Sequence, residues 1–278
     1  MEHKEGTFKG KGNRTLYWQA WLPPQAPRAV VMVVHGLAEH SGRYGNPVGY
    51  FVPKGYAVYS FDLRGHGLSE GTRCYTDRFL DYLDDLRTFH IMVRGLYPEA
   101  KLFLLGHSMG GTIAAAYAAQ YQGELAGLIL SGAALKPGAS VTRLQIIMAR
   151  VLSALLPKMG VASLDSSGLS RDKVVVQAYD NDPLVYRGKV TARLGAELMN
   201  IMEKDLPAKM QGLELPLLVM HGAADPLTNI EGSVLLHSVA KSKDKTLKRY
   251  EGFYHEIFND PERGKVFADM EAWLAAHW

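Results

Sequence analysis

The segment Ala29–Val34 is an unbroken apolar run in which four of the residues are valine. A strand with no polar side to offer water must be covered on both faces, as happens in parallel sheets lying between helices. Tyr56–Phe61 and residues 101–105, 125–130 and 215–220 repeat this character, and helical patterns lie between most of them. The clearest spans about 77–94. There Phe79, Leu83, Leu86, Phe89 and Val93 recur three or four residues apart, and Asp81, Asp84 and Asp85 are expected to face away. Strands alternating with helices predict an α/β architecture with a mostly parallel sheet. Ahead of this series, residues 14–22 alternate as an early antiparallel strand would, until Pro23, Pro24 and Pro27 end it.

The alternation breaks between about 135 and 206, where helical patterns continue without a convincing buried strand. This stretch reads as a helical cap, or lid, dividing the chain into core residues 1–134, cap 135–205 and core 206–278. Within it, residues 141–156 are apolar nearly all round, with only Arg143, Gln145 and Arg150 strongly polar. Such a segment must lie against the core, a lipid ligand or a membrane surface, and core packing is the commoner case. Beyond the cap the strand–helix rhythm resumes and closes with a helix over about 262–278. A chain of 278 residues with 47% hydrophobic and 21% charged side chains can fill one large α/β core, which excludes a disordered or collagen-like polymer.

A formal charge of +3, with basic residues scattered except for the short run from Lys241 to Arg249, gives no reason to expect a nucleic-acid partner. The lone Cys74 has no intramolecular partner and reads as a buried or loop thiol. The polar N-terminus lacks a signal-peptide core, and no run of eighteen apolar residues follows, so a soluble cytoplasmic protein is the default expectation. His40 and His66 lack metal-ligand spacing with any cysteine or second histidine, so no metal is expected.

Chemistry enters at Gly106-His107-Ser108-Met109-Gly110, a G-x-S-x-G lying between a strand pattern and an alanine-rich helix. A serine held on so tight a strand-to-helix turn needs glycines two residues to each side, and it is presented at the carboxyl edge of the sheet. The hydroxyl is too weak an acid to attack unaided, so it needs a base and a carboxylate to orient that base, in the chain order Ser, acid, His. Of ten histidines only His221, His237, His255 and His277 lie downstream of Ser108. His277 is terminal, His237 sits in a helical pattern and His221 ends a buried strand. His255, in a loop after the short strand 246–250, is the candidate base.

Asp225, in Gly222-Ala223-Ala224-Asp225-Pro226 at another strand end, is the candidate acid. Asp180, Asp182 and Asp205 satisfy the order but fall in or beside the cap. The oxyanion donors expected on this scaffold are the N–H groups of Met109 and of Leu37, where Gly36 lets the backbone come close. His35 and His107 read as hydrogen-bonded structural histidines. A dehalogenase or epoxide hydrolase would carry Asp where Ser108 stands.

With these residues in place, His35-Gly36 with Glu39-His40-Ser41-Gly42-Arg43-Tyr44, Asp62-Leu63-Arg64-Gly65-His66-Gly67 with Ser69-Glu70-Gly71, the Ser108 turn, Asp225 and Tyr250-Glu251-Gly252 with Tyr254-His255 resemble the monoacylglycerol lipase group of the α/β-hydrolases, within the serine aminopeptidase and lysophospholipase-like family. Asp165-Ser166-Ser167, Leu169-Ser170-Arg171 and Asp182-Pro183-Leu184 extend the likeness into the cap. The resemblance implies the α/β-hydrolase fold, a lid over an acyl tunnel and a small polar pocket for a glycerol head. It implies a triad of Ser108, Asp225 and His255, oxyanion donors at Leu37 and Met109, and Glu39 and Arg43 as candidate head-group contacts. As a surface ion pair, Glu39 and Arg43 would look the same in sequence. The activity implied is cleavage of monoacylglycerols to fatty acid and glycerol through an acyl-enzyme, with no cofactor required; transient membrane contact through the apolar segment 141–156 of the cap is a separate expectation. A lysophospholipase, a broad carboxylesterase and a hydrolase-fold ligand-binding protein are the alternatives. Mammalian members of the group carry a second histidine three residues after the catalytic one; here that position is Phe258.

Overall fold

The computed structural model describes residues 1–138 and 142–278, apart from the side chains of residues 143 and 145. The strands are β1 (Glu2–Lys9), β2 (Thr15–Leu22), β3 (Ala29–Val34), β4 (Tyr56–Phe61), β5 (Lys101–His107), β6 (Gly127–Ser131), the short pair β7 (Gly160–Ala162) and β8 (Val190–Thr191), then β9 (Leu217–Gly222) and β10 (Lys245–Tyr250). Eight strands form one sheet in the order β1-β2-β4-β3-β5-β6-β9-β10, with β2 alone running against the rest.

Every residue of β3 and β4 is buried, as a doubly covered strand requires. Because successive side chains point to opposite faces, β3 feeds two cores. Val30, Met32 and Val34 pack on the side of α2 (Leu80–Leu96) and α3 (Met109–Tyr121), while Ala29, Val31 and Val33 pack on the side of α1 (Gly45–Phe51) and α9 (Gly264–Ala275). α3 meets β5 and β6 through Gly110, Gly111 and a run of alanines, small enough to bring its first turn close to the sheet edge.

The sequence reading needs three corrections here. The first is β1, whose residues are mostly exposed; only Phe8 reaches the core, against Phe61 and Phe89, so no alternation marked it. The second concerns α2, where Phe79, Leu83, Leu86, Phe89 and Val93 are buried as expected but Asp81 and Asp85 are buried too. Arg64, from the loop after β4, donates from Nε and Nη2 to the two oxygens of Asp85 at 2.6 and 2.8 Å. Its Nη1 reaches Asp81 at 3.3 Å, and Asp84 alone of the three is partly exposed. A buried carboxylate requires such a partner.

The third lies in the chain between β6 and β9, which holds α4 (Arg143–Leu155), α5 (Lys173–Asn181), α6 (Ala192–Asn200), a π-helical turn (Ile201–Asp205) and α7 (Leu206–Gln211); α8 (Ile230–Val239) follows β9. The expected apolar segment 141–156 begins at Val141, outside the described residues. From Arg143 it is α4, which rests on the neighbouring helix through buried Ile146 and through Arg150, bonded to Asn200 and Glu203. Its other side is not packed. Leu144, Ile147, Met148, Val151 and Leu155, at helical spacing, are all more than half exposed. Core packing therefore accounts for one stripe of this helix and not for the rest.

Candidate active site

Parallel strands deliver their carboxyl ends to one edge, and the candidate residues converge there. The register pairs Val34 with Gly106, His107 with Ser131, Ser131 with Met220 and Tyr250 with Gly222. The loops carrying Leu37, Ser108, Asp225 and His255 thus all leave the sheet at one level.

Ser108 has φ +55° and ψ −122°, a strained conformation for a residue with a side chain, of the kind that costs about 1–3 kcal/mol and persists where the surroundings enforce it. Its N–H is held by the Ser131 carbonyl at 3.1 Å, and its own carbonyl accepts from Gly111, Thr112 and Ala134. Gly110 explains the motif's second glycine, because a Cβ there would stand 2.2 Å from the Val34 carbonyl oxygen. The close approach brings the loop after β3 beside the serine. Among the described residues, neither the Leu37 nor the Met109 N–H has a hydrogen-bond acceptor, and both residues border the same cavity as Ser108. Met109 opens α3, so its amide also lies at the positive end of that helix.

His255 is buried, and its Nδ1–H donates to Asp225 Oδ2 at 2.7 Å, leaving Nε2 as the acceptor. Room for the ring comes from Gly132, with φ +51°, where a Cβ would sit 3.1 Å from Nδ1. Burial by itself would lower the basicity of His255, but the Asp225 hydrogen bond and charge outweigh it and raise the imidazole above its ordinary value. Burial works against Asp225 as an anion too. His221, 3.2 Å away, the hydrogen bond and charge of His255 and the Thr228 hydroxyl together hold it well below the usual carboxylate range. Asp180 and Asp205 are exposed, and Asp182 bonds His40 and the Leu184 N–H, so Asp225 is the acid that meets His255.

Ser108 and His255 line one cavity of about 130 Å³ together with Gly36, Leu37, His107 and Met109. One end is polar. Glu39 Oε1 accepts from the Gly36 N–H at 2.6 Å and the Tyr44 hydroxyl at 3.0 Å, and its Oε2 accepts from Arg43 at 3.0 Å. Arg43 also grips both oxygens of Glu256, at 2.5 and 2.9 Å, with the Tyr179 ring 4.6 Å from its guanidinium carbon. Glu39 and Arg43 are therefore a buried pair at the cavity wall, not a surface ion pair. Burial opposes the charge on Glu39, but Arg43, the nearby histidines and the Gly36 amide bring it down to about 2. The Tyr179 hydroxyl is buried and has no hydrogen-bond partner among the described residues. Leu164, Leu169, Leu198 and Leu227 form an apolar part of the wall. Leu198 and Leu227 belong both to this cavity and to an adjoining space of about 520 Å³ bordered by Met199, Met202 and Ile230 on one side and by Lys136 and Asn229 as polar members.

The other sequence candidates settle into simpler places. His35 donates from Nδ1 to the Gly36 carbonyl and accepts at Nε2 from the Leu63 N–H. His107 bonds the Ser131 carbonyl at 3.0 Å, as expected of a structural histidine, yet it also lines the cavity; burial, then His255, pushes it down to about 4. Cys74 is buried, and burial pushes its thiol up to about 12, which leaves it inert as a nucleophile. Phe258 is buried against Phe267 and borders a small recess beside Glu39 and Arg43. Sequence reading missed His221, Thr228, Tyr179 and Glu256. Only Glu256 had a local signal, since it directly follows His255. Among the described residues no cluster of three His, Cys, Asp or Glu side chains could hold a metal ion, and no helix is long and apolar enough to cross a membrane.

The sheet order, the single reversed strand and the strained serine after β5 define an α/β-hydrolase fold. The sequence matches the family described as "Serine aminopeptidase, S33" over residues 25–262, and the chain belongs to that family. It is 39% identical to a monoacylglycerol lipase of Mycolicibacterium smegmatis, covering 98% of this chain and 97% of the relative. It is 37% identical to the monoglyceride lipase of Homo sapiens, over 94% and 86% of the two chains. The crystal structure of a monoacylglycerol lipase from Paleococcus ferrophilus is similar with a TM-score of 0.82 at 33% identity, covering 100% of both chains.

Proposed function

We propose that this chain is a serine carboxylic ester hydrolase that cleaves monoacylglycerols to fatty acid and glycerol through an acyl-enzyme. The observation carrying the reading is one cavity that unites Ser108 and His255, the latter held by Asp225, with polar and apolar parts to its wall. His255 Nε2 takes the proton as Ser108 Oγ attacks the ester carbonyl, and Asp225 steadies the imidazolium. The developing oxyanion rests on the N–H groups of Leu37 and Met109. His255 then protonates the leaving glycerol, and a water repeats the sequence on the acyl-enzyme. Retention of Asp225 beside His255 disfavours a hydrolase-fold protein that only binds a ligand.

Glycerol fits the polar end, where Glu39, Arg43 and Tyr179 border the space. Charge separates this reading from a lysophospholipase. Among the described cavity residues the sole permanent cation, Arg43, is already engaged by Glu39 and Glu256, so a phosphodiester would meet net negative charge. The acyl chain runs past Leu198 and Leu227 along Met199, Met202 and Ile230 of the larger adjoining space, which favours long chains over acetate because each buried methylene contributes about 0.8 kcal/mol. In the same reading residues 135–205 are the cap, divided from core segments 1–134 and 206–278. The open apolar side of α4 then makes peripheral contact with the membrane supplying the lipid, from a cytoplasmic protein.

Release of fatty acid from monoacylglycerol, diacylglycerol and lysophosphatidylcholine of one chain length tests the assignment. Monoacylglycerol should be the best substrate by kcat/KM, whereas equal or better turnover of lysophosphatidylcholine would replace it with a lysophospholipase, and indifference to both head and chain with a broad esterase.

A further inference from the structure

Two carboxylates hold Arg43, and they hold it differently. Glu39 takes one bond, from Nη1 to Oε2 at 3.0 Å, and uses its other oxygen to accept from the Gly36 N–H and the Tyr44 hydroxyl. Glu256 takes the fork of the guanidinium: Nη1 donates to its Oε1 at 2.5 Å and Nη2 to its Oε2 at 2.9 Å. The Asn259 amide donates to the same Oε2 at 2.8 Å, and the Glu256 N–H donates to the Leu169 carbonyl at 2.8 Å, so side chain and backbone are both fixed. All three charged side chains are nearly closed to solvent and border the cavity that holds Ser108.

Two parallel N–H groups facing two oxygens is also the geometry in which arginine takes a phosphate. In this chain the fork is filled from within. Two carboxylates against one guanidinium leave the cluster with net negative charge, and among the described cavity residues no other permanent cation offsets it. The Tyr179 ring, 4.6 Å from the guanidinium carbon, covers one face of Arg43 without adding charge.

We infer that Glu256 is a specificity-determining residue that acts through Arg43: by filling the guanidinium fork it withholds the cation from an anionic head group, so that the site takes an uncharged glycerol and rejects a glycerol phosphate. The inference rests on reading the cavity as a monoacylglycerol site and assigns one discrimination to one side chain. Glu39 is unsuited to that role, because neutralising it would also loosen Gly36, next to the oxyanion donor Leu37. The Glu256 carboxylate has only Arg43 and Asn259 as hydrogen-bond partners among the described residues. Without its charge, Arg43 would be balanced by Glu39 alone, and the fork would be open to a phosphate entering the cavity.

The test is kcat/KM for 1-octanoylglycerol and 1-octanoylglycerol 3-phosphate, both dissolved as monomers, in the wild type, Glu256→Gln and Glu256→Asp, with 4-nitrophenyl octanoate as an ester that lacks the glycerol head. The wild type should prefer the uncharged glycerol ester by about tenfold or more. Glu256→Gln keeps the shape and the Asn259 contact but not the charge, and should shift the ratio toward the phosphate by about tenfold or more, chiefly through KM. Glu256→Asp keeps the charge but is too short to fill the fork, and should shift the ratio by less. A merely structural effect would lower all three activities together and leave the ratio unmoved. That result overturns the inference, as does a wild type that hydrolyses both glycerol esters equally. Should Glu256→Gln fail to fold, a Glu256→Asp ratio at the wild-type value overturns it as well. A wild type that cleaves 4-nitrophenyl octanoate but not 1-octanoylglycerol refutes the monoacylglycerol reading itself; one that prefers 1-octanoylglycerol while both variants keep its ratio refutes only the role of Glu256.

Discussion

Replacing Arg43 with Met should expose how heavily the polar end of the cavity depends on a single cation. The side chains of Arg43, Glu39 and Glu256 are only 9%, 6% and 4% exposed, so neither carboxylate can turn to water when the guanidinium is removed. Removing one partner of a buried ion pair typically costs about 3–5 kcal/mol. Glu39 would keep the Gly36 and Tyr44 donors and Glu256 the Asn259 amide, which keeps the expected loss near about 4 kcal/mol rather than twice that. For a chain of 278 residues the unfolding entropy is about 0.6 kcal/mol per kelvin, so Tm should fall by about 7 °C.

The pH dependence has a definite sign. In the wild type Glu39 is held down to about 2, below its ordinary value of 4.5, so its contribution is fully present above about pH 4.5 and is lost as the pH falls toward 2. In the variant the uncompensated Glu39 carboxylate is the liability, and protonation relieves it. The gap between the two proteins should therefore be widest near neutrality and close toward about pH 4. Arg43→Lys, which keeps charge but not the two-pronged grip on Glu256, should fall between them. Urea and thermal unfolding across that pH range supply the measurement. A loss at neutral pH below about 1 kcal/mol, as expected of an exposed pair, or a gap that widens with acid, would refute the reasoning.

Two further outcomes follow from the site and from α4. Because His255 is raised above the ordinary histidine value and must be neutral to accept the Ser108 proton, activity should be present above that raised pKa and fall as the pH drops through it. A kcat/KM profile between about pH 5 and pH 9 should place the acid limb above 6.5; a limb below 6.5 would contradict the Asp225–His255 pairing. Leu144→Glu combined with Val151→Glu should abolish cosedimentation with phosphatidylcholine vesicles while sparing hydrolysis of a dissolved short ester, and unchanged sedimentation would remove the membrane role of α4.

The parallel strands were legible because burial on both faces leaves a continuous apolar run, and β3 through β6 and β9 carry one. β1 was not, because seven of its eight residues stay out of the core and its place is fixed by pairing with β2, a long-range interaction. Asp85 was misread for the same reason. Its partner Arg64 is 21 residues away, and no local pattern separates a buried, paired aspartate from a solvated one. The serine turn could be read from spacing, since glycines are required wherever Val34 and Ala114 come so close. His255 and Asp225 could be read from chain order and strand ends. His221 could not: ending a buried strand removed it from consideration as a base, yet that burial is what places it against Asp225. The open side of α4 also had no sequence signature, because an apolar helix looks alike whether covered or bare.

Treatment of the native protein with a fluorophosphonate, followed by mass mapping of the adduct, tests the central claim most directly. One phosphonate should be found per chain, on Ser108; Ser108→Ala should take up none and lose about a millionfold in turnover while melting cooperatively. His255→Ala should fold yet label far more slowly. An adduct on any other residue, or a Ser108→Ala protein retaining more than a few per cent of hydrolysis, would contradict the account.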